Sequence, residues 1–90
     1  MYQLHFSSSA NRTLALYKKS NPILFKKVSK ILVELMEHPR QGIGRPEPLV
    51  NGDGITYSRR ITAHDRIIYD VYDDQVVVLV LSIGGHYSDK

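Results

Sequence analysis

The sequence predicts an α+β fold in the order β-α-α-β-β-β, with two N-terminal helices packed on one face of a mainly antiparallel sheet. Three observations carry that prediction. Two runs of apolar residues at helical spacing follow one another after residue 9, and each opens on a capping residue. Three runs rich in Val, Ile and Tyr fill the second half, separated by short turns. The first six residues alternate apolar with polar, the period of a half-buried strand.

Taken in order, Tyr2, Leu4 and Phe6 mark one face of the first strand, with Gln3 and His5 on the other. The serines at 7–9 offer an N-cap. Ala10, Leu14 and Tyr17 then recur at helical spacing, giving a short helix to about Lys19. Asn21-Pro22 is a second start signal, a capping residue before a proline at the first helical position. Behind it Leu24, Val28, Ile31, Leu32, Leu35 and Met36 form one apolar stripe, and Pro39 stops the helix after His38. Lys26, Lys27 and Lys30 lie off the stripe and read most simply as a solvated face.

Residues 39–54 hold three of the four prolines and read as one long irregular segment. Such segments in compact domains are usually functional or disordered. Proline on both sides of Glu47 argues for the first.

The strands ITYSRRIT, RIIYDVY and QVVVLVL follow at hairpin spacing, with Asp73-Asp74 as a turn. Tyr57 and Ile61 mark one face, and Ile67, Tyr69 and Val71 mark the matching face of the next strand. Directly paired residues share a face, so the loop between them holds an odd number of residues. A loop of Ala63, His64 and Asp65 sets Thr62 opposite Arg66 and Arg60 opposite Ile68. Arg60 and Arg66 then emerge together on the face away from the apolar one. Two readings fit: a shared anionic ligand, or a solvent-facing basic pair with one arginine bonded to Asp70. The last strand, Val76 to Leu81, is apolar throughout, as expected of a central strand covered on both faces. The first strand pairs with this last hairpin, and Gly84-Gly85 is expected to form a bulge that re-aims His86 and Tyr87.

Ninety residues make one domain, 1–90, with a thin core. Apolar (42%) and charged (23%) contents are ordinary for a globular chain, which argues against disorder. There are no cysteines, hence no disulfide and no thiolate metal site. No apolar stretch is long enough to span a membrane, and MYQLHFSSS has neither part of a signal peptide, so a cytoplasmic location is expected. The net charge of +3 suits a phosphate-rich or acidic partner. The four histidines lack metal-ligand spacing, and the half phosphate loop at Gly42 and Gly44 is followed by no helix, so no metal and no cofactor are expected.

What remains is Glu47, Arg60, Arg66 and the closing His86-Tyr87. These are the residue types metal-free RNA cleavage needs. A 2′-hydroxyl must lose a proton as it attacks the neighbouring phosphate, and arginine can stabilise the charge that develops. Histidine can return a proton to the leaving oxygen, and a tyrosine ring can stack on an unpaired base.

At GIGRPEPL (42–49), SRRIT (58–62), RIIY (66–69) and HY (86–87), the chain resembles the YoeB/Txe family of bacterial toxins, within the RelE-like superfamily. The resemblance implies the RelE-like microbial RNase fold and a ribosome-dependent endoribonuclease, an mRNA interferase acting on translated message. It implies Glu47 as general base, Arg66 as phosphate stabiliser, His86 as general acid and Tyr87 as an orienting residue. It also implies Arg45, Arg59 and Arg60 as RNA contacts. The implied partners are an acidic antitoxin that is partly disordered until bound, mRNA on the ribosome, and operator DNA reached only through the antitoxin complex. A homodimer is implied as well. Acid and base can exchange between Glu47 and His86, since a glutamate of reference pKa about 4.3 is a weak base for a hydroxyl.

The chain departs from the family pattern at His64-Asp65, where Glu-His is common, at Val50, where lysine is common, and in the extension Ser88-Asp89-Lys90. The competing function is a catalytically silent antitoxin-binding module acting in operator binding and autoregulation. The combination of Glu47, Arg66, His86 and Tyr87 favours the enzyme.

Overall fold

In a computed structural model, residues 1–44, 46–49 and 55–85 are described. The elements are β1 (Gln3–Phe6), α1 (Ser8–Ser20), α2 (Pro22–Glu37), β2 (Glu47–Pro48), β3 (Thr56–Arg60), β4 (Arg66–Tyr72) and β5 (Val77–Gly84). The five strands form one mixed sheet in the order β1-β5-β4-β3-β2. β1 runs parallel to β5 and every other neighbour is antiparallel.

The helix boundaries follow from the caps. The Ser7 hydroxyl accepts from the Ala10 amide at 3.0 Å and donates to the Leu81 carbonyl at 2.6 Å, so one residue caps α1 and ties it to β5. Asn21 serves two helices. Its amide closes α1 on the Tyr17 carbonyl, and its side chain accepts from the Leu24 amide at 3.3 Å to open α2. Ala10, Val28, Ile31, Leu32 and Leu35 face inward from the helices and meet Ile67, Tyr69, Val71, Val78, Val80 and Ile83 of the sheet. Burying a side chain such as Leu35 or Val28 contributes about 1.5–3 kcal/mol, so this one layer holds the domain together.

The structure corrects the expected layout in several places. The segment 39–54 is not irregular throughout, because Glu47–Pro48 forms the edge strand β2. The β3–β4 connection is 61–65 rather than 63–65, and Arg60 stands opposite Arg66 instead of Ile68. The Asp65 carbonyl accepts from the amides of Ile61 and Thr62, which widens the loop and slides the register by two residues. A slip of two leaves every side chain on its expected face. Val76 belongs to the preceding turn with φ of 54°, so β5 starts one residue later. β5 is also not covered equally on both faces: Val78, Val80 and Ile83 are buried, while Val77, Leu79 and Leu81 are half-buried. Its bulge falls at Leu81, where the register against Ile68 and Tyr69 shifts, and not at the glycines.

Candidate active site

The route from α2 to β2 places Glu47. Gly44 lies against β3, its carbonyl accepting from the Arg60 amide at 2.7 Å. Its φ is +81°, and a Cβ there would come within 2.5 Å of the Arg60 carbonyl oxygen, so only glycine fits. β2 then pairs Glu47 with Ser58 and Pro48 with Tyr57, and the Leu49 amide continues to the Thr56 carbonyl at 3.0 Å. Pro48 lacks a ladder donor, which an outermost strand tolerates.

The pairings set out one face of the sheet. Glu47, Ser58, Ile68 and Ser82 form one row across four strands, and Arg60, Arg66 and Gly84 form the next row. Directly paired residues and their i±2 neighbours share a face, so Glu47, Arg60 and Arg66 lie on the same side, opposite the helices. From strand spacing and rise, Glu47 and Arg60 are about 8 Å apart at Cα, and Glu47 and Arg66 about 12 Å. Both spans are within reach of a common phosphate for side chains of this length. Glu47, Arg60 and Arg66 are all exposed.

The two arginines are directly paired. Two unit charges about 5.5 Å apart repel by only about 0.8 kcal/mol in water, so the pair is tolerated while solvated. The alternative partner, Asp70, is occupied: it accepts from Thr56 Oγ1 at 2.6 Å and from the Tyr72 hydroxyl at 2.8 Å. Among the described residues neither Arg60 nor Arg66 has an ion-pair partner. An anion between them is therefore the favourable complement of this face.

Arg59 requires a correction. Expected as an RNA contact, it is fully buried, with its guanidinium turned toward α2 and paired with Glu34 at 2.5 Å. The physical reason is parity: Arg59 lies two residues from both Tyr57 and Ile61, on the apolar face. That signal was available in the sequence beneath the Arg-Arg motif.

Arg45, His86 and Tyr87 lie outside the described residues, as do Val50 and the extension Ser88-Asp89-Lys90. The approach to the chain end is described up to Gly85. Gly84 stands opposite Arg66, and a Cβ on Gly85 would meet the His64 carbonyl oxygen at 2.6 Å. The chain thus leaves β5 packed on the loop that leads into Arg66. At the His64-Asp65 departure, Asp65 accepts from Thr62 Oγ1 at 2.8 Å, while Thr62 Oγ1 accepts from the His64 and Asp65 amides. This closed turn fixes the start of β4.

Sequence patterns did not reveal a latch at the other end of the sheet. Arg40 pairs with Asp73 through two bonds of 3.1 and 2.8 Å, donates to the Tyr57 hydroxyl at 3.1 Å and sits over the Tyr57 ring. Hydrogen bonds from Arg40 and then Tyr2 hold the Asp73 carboxyl below the usual range, and the bond to Asp73 raises the Tyr2 phenol. Tyr57 stacks on Tyr69, whose phenol is pushed up mainly by burial. Among the described residues no three His, Asp or Glu side chains converge as a metal site would require, and no helix is long and apolar enough to cross a membrane.

A family model described as the YoeB-like toxin of bacterial type II toxin–antitoxin systems matches residues 6–87. Toxin YoeB of Escherichia coli O6:H1 is 32% identical over 71 residues, covering 79% of this chain and 82% of that protein. A YoeB/ParE toxin from Agrobacterium tumefaciens superposes with a TM-score of 0.85 at 28% identity, covering 97% of this chain and all (100%) of that one. The toxin in a YoeB–YefM complex from Staphylococcus aureus superposes with a TM-score of 0.80 at 28% identity, covering 97% of this chain and 99% of that one.

Proposed function

This chain belongs to the YoeB-like toxins of bacterial type II toxin–antitoxin systems, and from that premise we propose that it is a ribosome-dependent endoribonuclease that cleaves translated mRNA. The observation that carries the proposal is the open face on which Glu47, Arg60 and Arg66 stand together, both arginines without a carboxylate partner among the described residues. In the reaction, Glu47 takes the proton of a ribose 2′-hydroxyl as its oxygen bonds to the adjacent phosphorus. Arg66, with Arg60 beside it, holds the phosphoryl oxygens as negative charge builds. The bond to the 5′-oxygen breaks, and His86, two residues beyond Gly84, supplies that oxygen with a proton. Tyr87 orients the substrate or the base. The step needs no metal, and it leaves a 2′,3′-cyclic phosphate and a 5′-hydroxyl.

Glu47, Arg60 and Arg66 are all exposed, and in this proposal most of the alignment of attacking and leaving oxygens comes from outside the protein. A message held and bent in the ribosome supplies it, which accounts for a net charge of only +3. The relatives solved with YefM support an antitoxin as the partner. We further propose a cytoplasmic site of action and operator DNA reached only through the antitoxin complex. The test compares cleavage of one mRNA free in solution and under translation. Fast cleavage on ribosomes, slow cleavage without them, and loss of growth arrest with Arg66→Ala or His86→Ala are expected. Equal growth arrest by wild type and both variants overturns the proposal in favour of a binding module.

A further inference from the structure

Arg59 is the most fully bonded side chain among the described residues. Guanidinium carries five N–H donors in a fixed planar fork. Nε donates to the Tyr69 hydroxyl at 3.1 Å. One terminal nitrogen donates to Glu34 at 2.5 Å and to the Ile43 carbonyl at 3.3 Å. The other donates to the His38 carbonyl and, at 2.6 Å, to the Gln41 carbonyl. Its two partners continue the pattern. Glu34 accepts from the Ile43 amide at 2.7 Å, and the Tyr69 hydroxyl donates to the Pro39 carbonyl at 2.7 Å. Three side chains on three different elements thereby hold the backbone of 38–43, which has no regular structure to satisfy it. Gly42 completes the fit, since any Cβ there would overlap the Glu34 carboxylate.

That backbone leads directly to Glu47. Gly44 is fixed on the Arg60 amide, and three residues later the chain enters β2. We infer that Arg59 is a positioning residue: its five-bond hub sets where Gly44 and the Glu47–Pro48 strand join the sheet, and so holds Glu47 in line with the arginine pair. The inference rests on the catalytic role proposed above for Glu47. Lysine cannot replace the hub, because its three donors radiate from one point and cannot reach a carboxylate, a phenol and three carbonyls in one plane.

The experiment is a double-mutant cycle in ribosome-dependent mRNA cleavage, paired with amide hydrogen exchange on the free toxin. Arg59→Lys is expected to lower the single-turnover rate on saturating ribosomes on the order of 100-fold, the cost of roughly 1 Å of misplacement. The ribosome concentration giving half the maximal rate should stay within about twofold of wild type. In a Glu47→Ala background the same change should add less than about threefold, because its effect passes through Glu47. The Arg60 and Leu49 amides, which bond to Gly44 and Thr56, should lose protection while core β4 amides keep theirs. Tyr69→Phe, which removes only the bond to Pro39 and the acceptor for Nε, provides a milder second variant and should shift both readouts in the same direction. Full additivity of the two substitutions, or unchanged protection at both amides in Tyr69→Phe, overturns the inference. If wild type cleaves nothing under translation, the catalytic proposal fails, and exchange at those amides still decides whether Arg59 sets the segment.

Discussion

Arg59 and Arg60 are neighbours of the same residue type whose surroundings differ in almost every respect. Arg59 faces the helices, is fully buried and spends every donor on protein. Arg60 faces outward, is exposed, and stands beside Arg66 with no ion-pair partner among the described residues. One strand therefore separates a buried, protein-bonded arginine from an exposed one by its two-residue alternation alone. The difference teaches how a small toxin keeps two cations exposed side by side: the inward-facing arginine of the same strand is saturated by protein partners, so the outward-facing one is left to solvent.

The comparison is broken most severely at Arg59. Arg59→Met should cost about 3–5 kcal/mol, because it strands the Glu34 carboxylate and frees the 38–43 carbonyls. Against a total of about 5–15 kcal/mol for a domain, urea denaturation should show a much lower midpoint. Arg60→Ala or Arg66→Ala should shift stability by less than about 0.5 kcal/mol yet lower cleavage on ribosomes on the order of 10²–10³-fold. Equal loss of stability at 59 and 60 would erase the distinction.

Much of this contrast was legible in the sequence. The capping residues Ser7 and Asn21, the α2 stripe and the shared face of Arg60 and Arg66 all follow from period and turn chemistry. The length of the loop 61–65 was not legible because parity fixes faces but not loop length, and Thr62 with Asp65 closes five residues as readily as three. β2 was invisible because a two-residue strand that follows one proline and ends on another carries no periodicity. Arg40 and Asp73 lie 33 residues apart, and only the folded sheet brings them together. His86, Tyr87 and Arg45 stand on their motif alone, outside the described residues.

Two smaller effects sharpen the picture of the buried side. Burial raises the Tyr69 phenol above its usual value near 10, so its contribution is complete below about pH 10 and is lost as pH rises through the raised value. Wild type should lose stability in alkali more steeply than Tyr69→Phe, measured as denaturant midpoint against pH. The smallest effect is at the exposed latch. Arg40 lowers the Asp73 carboxyl, so that contribution is present above about pH 4 and fades as pH falls through the lowered value. The gap between wild type and Asp73→Asn should be small at neutral pH and close toward pH 2, whereas a gap that widens in acid would contradict the pairing.

The chemistry assigned to the open face is tested most directly by a message with a single 2′-deoxynucleotide immediately 5′ of the scissile phosphate, presented on ribosomes. Attack by the 2′-hydroxyl predicts no cut at that position, while the unmodified message yields 2′,3′-cyclic phosphate and 5′-hydroxyl ends. Undiminished cleavage of the deoxy-substituted message, leaving 5′-phosphate ends, would contradict it.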